Sequence, residues 1–169
     1  MRKTFSAVLA ASFLISQAAM AQCARAPEAV AFDVTGLKTN LMVTALTCKA
    51  DERYNAFVTK YRNELTAQDK ALNGYFSRVH GRQARTRHDD YVTQLANSQS
   101  QMGIRQGSLF CSRNLPTFDE VMALRGGQEL PEYAAAKSVA QPVNAPVCGN
   151  TPERATPAAS TTRRNTRRS

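Results

Sequence analysis

From Asp51 to Val79 one stripe of positions repeats at alternating steps of four and three. It runs Tyr54, Val58, Tyr61, Leu65, Gln68, Leu72, Tyr75 and Val79, with Phe57 and Phe76 flanking it. That spacing is a near-heptad face, and with no proline in the interval it predicts one long helix over 51–80. Thr66-Ala67-Gln68-Asp69 reads as a capping box that would start a second helix there, but the unbroken stripe favours a single one. Gly74 weakens the helix locally by about 1 kcal/mol relative to alanine. Gly81 ends it.

A second stripe passes through His88, Tyr91, Val92, Leu95, Ala96, Gln99, Met102, Gly103, Gln106, Leu109 and Phe110, and predicts a helix over 84–111. Thr86-x-x-Asp89 supplies a capping box, and Asp89 and Asp90 suit the positive end of the helix. Ala96, Gly103 and Gly107 are small enough for another helix to approach closely. Gln99 and Gln106 make the seam partly polar, so its interior needs hydrogen bonds or water. Two helices of similar length with a short connection make an antiparallel hairpin.

The remaining elements are shorter. Residues 22–31 read as a lead-in punctuated by Pro27. Asp33 is placed to cap a helix over 34–47 with Leu37, Leu41, Met42, Ala45 and Leu46 apolar. Val43 widens that stripe, which predicts a helix covered on several sides. After Leu115-Pro116, Thr117-x-x-Glu120 caps a short helix over 118–125, stopped by Gly126-Gly127. Pro131 to Ala140 predicts one more. The fold class is therefore all-α: a long antiparallel helical hairpin with additional short packed helices, stapled by disulfides. The helical domain occupies 32–125, and an extension over 126–149 is tied back to it.

The cysteines turn this architecture into a pairing. Cys23, Cys48, Cys111 and Cys148 contain no C-x-x-C, so structural bridges fit better than a redox motif or a zinc ribbon. The start of the first hairpin helix and the end of the second lie at the same end, which predicts a Cys48–Cys111 bridge. Cys23 and Cys148 are then partners by elimination. Two separate helices in an up-and-down bundle, in place of the first, would put Cys48 and Cys111 at opposite ends.

The ends of the chain differ in character from the middle. Arg2 and Lys3, the apolar run Ala7 to Ile15 and the Ala19-Met20-Ala21 pattern read as a signal peptide over 1–21. The run is too short to span a bilayer. Gln22, where a small residue would be needed, argues against lipid attachment at Cys23. Loss of Arg2 and Lys3 lowers the formal charge from +9 to +7, and the last twenty residues hold five arginines against Glu153. Arg163, Arg164, Arg167 and Arg168 thus end a basic tail over 150–169, rich in Pro, Ala, Ser and Thr and expected to be disordered. Without aromatic residues it cannot stack on bases, so it reads either as attracted to anionic polymer or lipid, with no specific nucleic acid, or as a solvated tail that only aids solubility.

Motifs for chemistry are sparse. Arg78, His80, Arg82, Arg85, Arg87 and His88 crowd the predicted hairpin tip beside helix-terminal amides, a candidate anion site. His88 with Asp89 or Asp90 is the one acid–base pairing available. Two histidines among arginines make a poor metal site, and His88 also lies on the apolar stripe, where a structural role suffices. No G-x-S-x-G, P-loop, dinucleotide fingerprint or haem motif is present, and no cofactor is expected.

Leu41-Met42-Val43-Thr44-Ala45-Leu46-Thr47-Cys48 through Arg53-Tyr54-Asn55-Ala56-Phe57, with His88-Asp89-Asp90-Tyr91 and Phe110-Cys111, resembles small exported proteins of Gram-negative bacteria. The resemblance covers about 32–111 and implies a periplasmic or secreted location but no function. In shape alone the hairpin is similar to periplasmic helical-hairpin chaperones, although Leu65-Thr66-Ala67-Gln68 is one residue short of their L-T-x-x-Q spacing. The leading expectation is a non-enzymatic binding or interaction protein of the cell envelope, its partner an envelope protein or an anionic polymer or lipid surface. The alternative is a small exported enzyme using His88 with Asp89 or Asp90.

Overall fold

Proline in the first turn starts the first helix about two turns before the capping pattern predicts. The computed structural model describes residues 22–143 and 145–149; the leader at 1–21 and the basic tail at 150–169 lie outside them. Helix α1 is Ala26–Cys48. Pro27 needs no intrahelical partner for its missing N–H there, and Glu28 Oε2 accepts from the Arg25 amide at 2.7 Å. The lead-in is therefore mostly helix, and Asp33, expected as a cap, sits inside α1. Burial holds its carboxyl above the usual range.

Helix α1 is the central element. Phe32, Val34, Gly36, Leu37, Thr39, Leu41, Val43, Thr44 and Ala45 are all buried, so apolar contacts surround it rather than lining one face. It packs against the hairpin on one side and the last helix on another.

The hairpin itself is built from α2 (Asp51–Lys60), α3 (Arg62–His80) and α4 (Ala84–Gln106), with a 3₁₀ turn at Gly81–Gln83. The predicted single helix is interrupted at Tyr61, not at the Thr66 to Asp69 box. Tyr61 leaves helical dihedrals, yet its N–H still donates to the Phe57 carbonyl at 3.0 Å and its carbonyl accepts from Leu65 at 2.8 Å. The hydrogen-bond ladder thus carries through the break. Thr66 is mid-helix, its hydroxyl bonded back to the Arg62 carbonyl at 2.8 Å. At the interruption the Tyr61 side chain is fully buried and donates to the Val121 carbonyl at 2.5 Å.

The second hairpin helix stops earlier than expected. Gly107, with φ 54°, adopts a conformation other residues rarely reach, and α5 (Leu109–Asn114) begins after it. This turns Phe110 back onto Gly103, where an added Cβ would stand 3.4 Å from its ring. The start of α4 at Ala84 also lies before the Thr86 box, and Gln83 provides no side-chain cap. Helix α6 is Pro116–Ala123, with Pro116 in its first turn in place of a Thr117 cap. Helix α7, Leu130–Lys137, follows a 3₁₀ turn and carries Pro131 in its first turn.

Two apolar clusters hold these helices. One joins Val34, Leu37 and Leu41 of α1 to Phe57, Tyr61, Leu65, Phe118, Val121 and Leu130. The other is aromatic: the Phe32 ring meets Tyr75 edge-on at 5.0 Å and Tyr91 at 5.2 Å, with Leu72, Phe76 and Leu95 around them. Tyr61, Tyr75, Phe57 and Phe76 of the stripe are core, and Tyr54 is half-buried against it.

Both disulfides pair as the hairpin geometry predicts, Cys48 with Cys111 and Cys23 with Cys148, at Cα separations of 5.7 and 5.0 Å. The second bridge closes a clasp. Ala24 pairs with Val147, its N–H donating to the Pro146 carbonyl and its carbonyl accepting from Cys148, each at 2.8 Å. Upstream, Gln141 lies over Gly36 and donates to the Phe32 carbonyl at 3.1 Å, while Tyr91 donates to its oxygen at 2.8 Å. The extension is thus packed into the domain.

Candidate functional site

The polar members of the apolar stripes are where the helices part. Between α3 and α4, floored by α1, lies a groove of about 480 Å³ lined in part by Lys38, Gln68, Asp69, His88 and Asp89. Gln68 comes from the first stripe and His88 from the second. The Gln68 side-chain nitrogen donates to Glu64 at 2.6 Å, which leaves its Oε1 buried with no partner among the described residues. The His88 Nε2 is likewise buried and unpaired, with the ring tilted against Phe76 at 5.3 Å. Lys38 adds a positive charge and Asp69 and Asp89 two negative ones to the lining, and Val34, Met42, Leu65 and Val92 supply apolar surface. Tyr54 also lines the groove, and burial raises its phenol above the ordinary value, so it stands as a neutral hydroxyl.

His88 and Asp89 both line the groove, but as consecutive helical residues they diverge by about 100° around the axis, and no hydrogen bond joins them among the described residues. The hydroxyls nearby belong to threonines and Tyr54, with no serine or free cysteine beside them. Among the described residues no three His, Cys, Asp or Glu side chains are grouped to hold a metal ion.

Comparison with protein-family models, curated proteins and solved structures finds no match to this chain.

The hairpin tip is organised differently from the sequence reading. Arg82, Arg85 and Arg87 are exposed around the 3₁₀ turn, and Asp90 is exposed one turn on. His80 is half-buried and stacks on Phe76 at 5.8 Å, so both histidines contact the same core ring. Arg78 leaves the cluster altogether. It pairs with buried Glu28 through two contacts, one of them 3.1 Å, donates to the Cys23 carbonyl at 2.8 Å and lies over the Tyr75 ring. Burial would raise the Glu28 carboxyl, but the Arg78 hydrogen bond, the Arg25 amide and the nearby arginine charges outweigh it. The net direction is down.

Sequence reasoning singled out His88 but missed Lys38 and Asp69 as its neighbours across the groove. The available signal was Gln68, a polar residue at a position the stripe reserves for apolar ones. Arg163, Arg164, Arg167 and Arg168 lie outside the described residues.

Two disulfides point to an oxidising compartment outside the cytoplasm. Among the described residues no helix is long and apolar enough to cross a membrane.

Proposed function

We propose that this chain is a non-enzymatic binding protein of the cell envelope, periplasmic or secreted, whose hairpin groove holds a small polar ligand. The observation that carries the reading is that two residues lining the groove, Gln68 and His88, each hold a buried side-chain atom, Oε1 and Nε2, with no partner among the described residues. Buried polar atoms are nearly always partnered, and each one left open costs about 1–3 kcal/mol that a bound molecule can recover. A ligand offering a donor to Gln68 and apolar surface to Val34, Met42 and Val92 fits the lining. The exposed arginines Arg82, Arg85 and Arg87, with the basic tail, supply attraction toward anionic envelope polymer or lipid. The expected partners remain an envelope protein or such a surface.

The test uses the exported protein labelled for NMR and the small-molecule fraction of a periplasmic extract. A saturable shift of the Gln68 side-chain amide and the His88 ring, lost when Gln68→Leu and His88→Leu are combined in a folded variant, supports the reading. An unresponsive groove refutes it. Anionic phosphatidylglycerol vesicles test the basic regions separately: removing 150–169 should flatten the salt dependence of binding, and Arg85→Ala with Arg87→Ala should remove what survives tail deletion. The presence of His88 and Asp89 in one groove also motivates the enzymatic reading. Turnover of any extract component that disappears in His88→Ala, with binding retained, would favour it.

A further inference from the structure

A second cavity, sharing no lining residue with the groove, lies between α1, α4, the α5–α6 corner and the end of α7. It measures about 380 Å³. We propose that it binds a small organic acid, receiving the carboxylate on the Gln99 amide and the Arg113 guanidinium and the apolar body against Leu37, Met102 and Val139.

Gln99 supplies the first reason. Its side chain is 1 % exposed, and its oxygen already accepts from Asn40 Nδ2 at 3.1 Å. The amide nitrogen, which brings two protons, has no acceptor among the described residues. A donor so placed calls for an acceptor that the fold does not provide. Charge supplies the second. Arg113, Lys137 and Thr117 share the lining with Asn114, and no aspartate or glutamate does. Lys137 is already paired with Glu120 at 2.6 Å, whereas Arg113 makes no ion pair among the described residues. Gln99 lines the cavity with its donor closed to solvent, so the amide must turn toward a ligand, and the exposed Arg113 adds a cation lacking a counter-charge; together they select an anion. Shape supplies the third. A guanidinium fork matches a planar carboxylate, and the apolar wall of Leu37, Met102, Val139 and Ala140 accommodates a hydrocarbon body that inorganic phosphate lacks.

The test titrates hexanoate, benzoate and inorganic phosphate into the intact, disulfide-bonded protein and follows the Gln99 side-chain amide and the Arg113 Nε–H by NMR. Hexanoate or benzoate should move both signals saturably, and phosphate should not. Arg113→Ala should weaken binding at least about tenfold, the scale of one lost charge-assisted contact. Gln99→Met preserves volume and removes the orphaned donor together with the acceptor of Asn40, so it should abolish the Arg113 Nε–H response while keeping a cooperative thermal transition, lowered only by the lost Asn40 bond. That stability reading separates loss of the site from loss of the fold. The proposal fails if neither acid gives a saturable shift, which would make the Gln99 donor a water site. It fails equally if both variants bind as tightly as the parent, or if phosphate matches the acids.

Discussion

Replacing Arg78 with methionine tests the account of how the N-terminal clasp is anchored. Methionine keeps an apolar stem beside the Tyr75 ring but removes the guanidinium from Glu28 and from the Cys23 carbonyl. Stranding one member of a fully buried pair costs about 3–5 kcal/mol. Here the Glu28 side chain is 9 % exposed and that of Arg78 22 %, so water reaches the cation. The expected loss is at the lower end, about 3 kcal/mol, a fall of roughly 10 °C in Tm for a domain of this size. Urea unfolding with the disulfides intact should show it, and a cycle with Glu28→Gln should give about 2 kcal/mol of coupling. The pH dependence follows from the sign. A carboxyl held below its ordinary value of 4.5 contributes stability that is present above the unfolded value and lost as pH falls through the folded one. The difference between parent and Arg78→Met should therefore be full at neutral pH and shrink below about pH 4. Hydrogen exchange should quicken first at residues 22–28. A loss under about 1 kcal/mol, or coupling near zero, would refute the anchoring role.

Removing either disulfide by paired Cys→Ser substitution should cost about 4 kcal/mol on the loop-entropy model, measured by urea unfolding. Sequence separations of 63 and 125 enter that model logarithmically, so the two losses should differ by under about 1 kcal/mol. Gly36→Ala should destabilise by about 1–2 kcal/mol even though alanine favours helix, because its Cβ would meet Gln141 Nε2 at 2.7 Å and Val139 at 3.2 Å. Tyr91→Phe should recover little of that loss and cost about 1 kcal/mol alone, since Tyr91 donates to the displaced Gln141. Asp33→Asn should raise Tm at neutral pH. Burial lifts that carboxyl above 3.8, so its charged form penalises the fold and the advantage should vanish as pH falls below that value.

The helical hairpin and both bridges were legible in the residues because they depend on local period and chain direction. The stripe from Tyr54 to Val79, the stop at Gly81 and the position of Cys48 and Cys111 at helix ends suffice to pair the cysteines. Helix boundaries were less legible. Proline in the first turn and a side-chain cap are competing start signals, and at α1 and α6 the helix starts at the proline. The helix is interrupted at Tyr61, whose hydroxyl meets a partner sixty residues away, the Val121 carbonyl, which no local pattern announces.

The candidate sites divide along the same line. Sequence alone marked Gln68, His88, Gln99 and Gln106 as polar positions on apolar stripes, and all four end with a buried unpaired atom. What the pattern could not state is which neighbours meet them. Lys38 and Asp69 reach the groove, and Arg113 and Lys137 the second cavity, only through the packing of elements far apart in the chain. Arg78 shows the converse. By sequence it belongs with the tip arginines, but its place on the inner face of α3 brings it to Glu28 of α1, and the low-dielectric contact there outweighs its grouping with exposed charges. Periodicity determines which face a residue occupies; only the tertiary fold determines what that face meets.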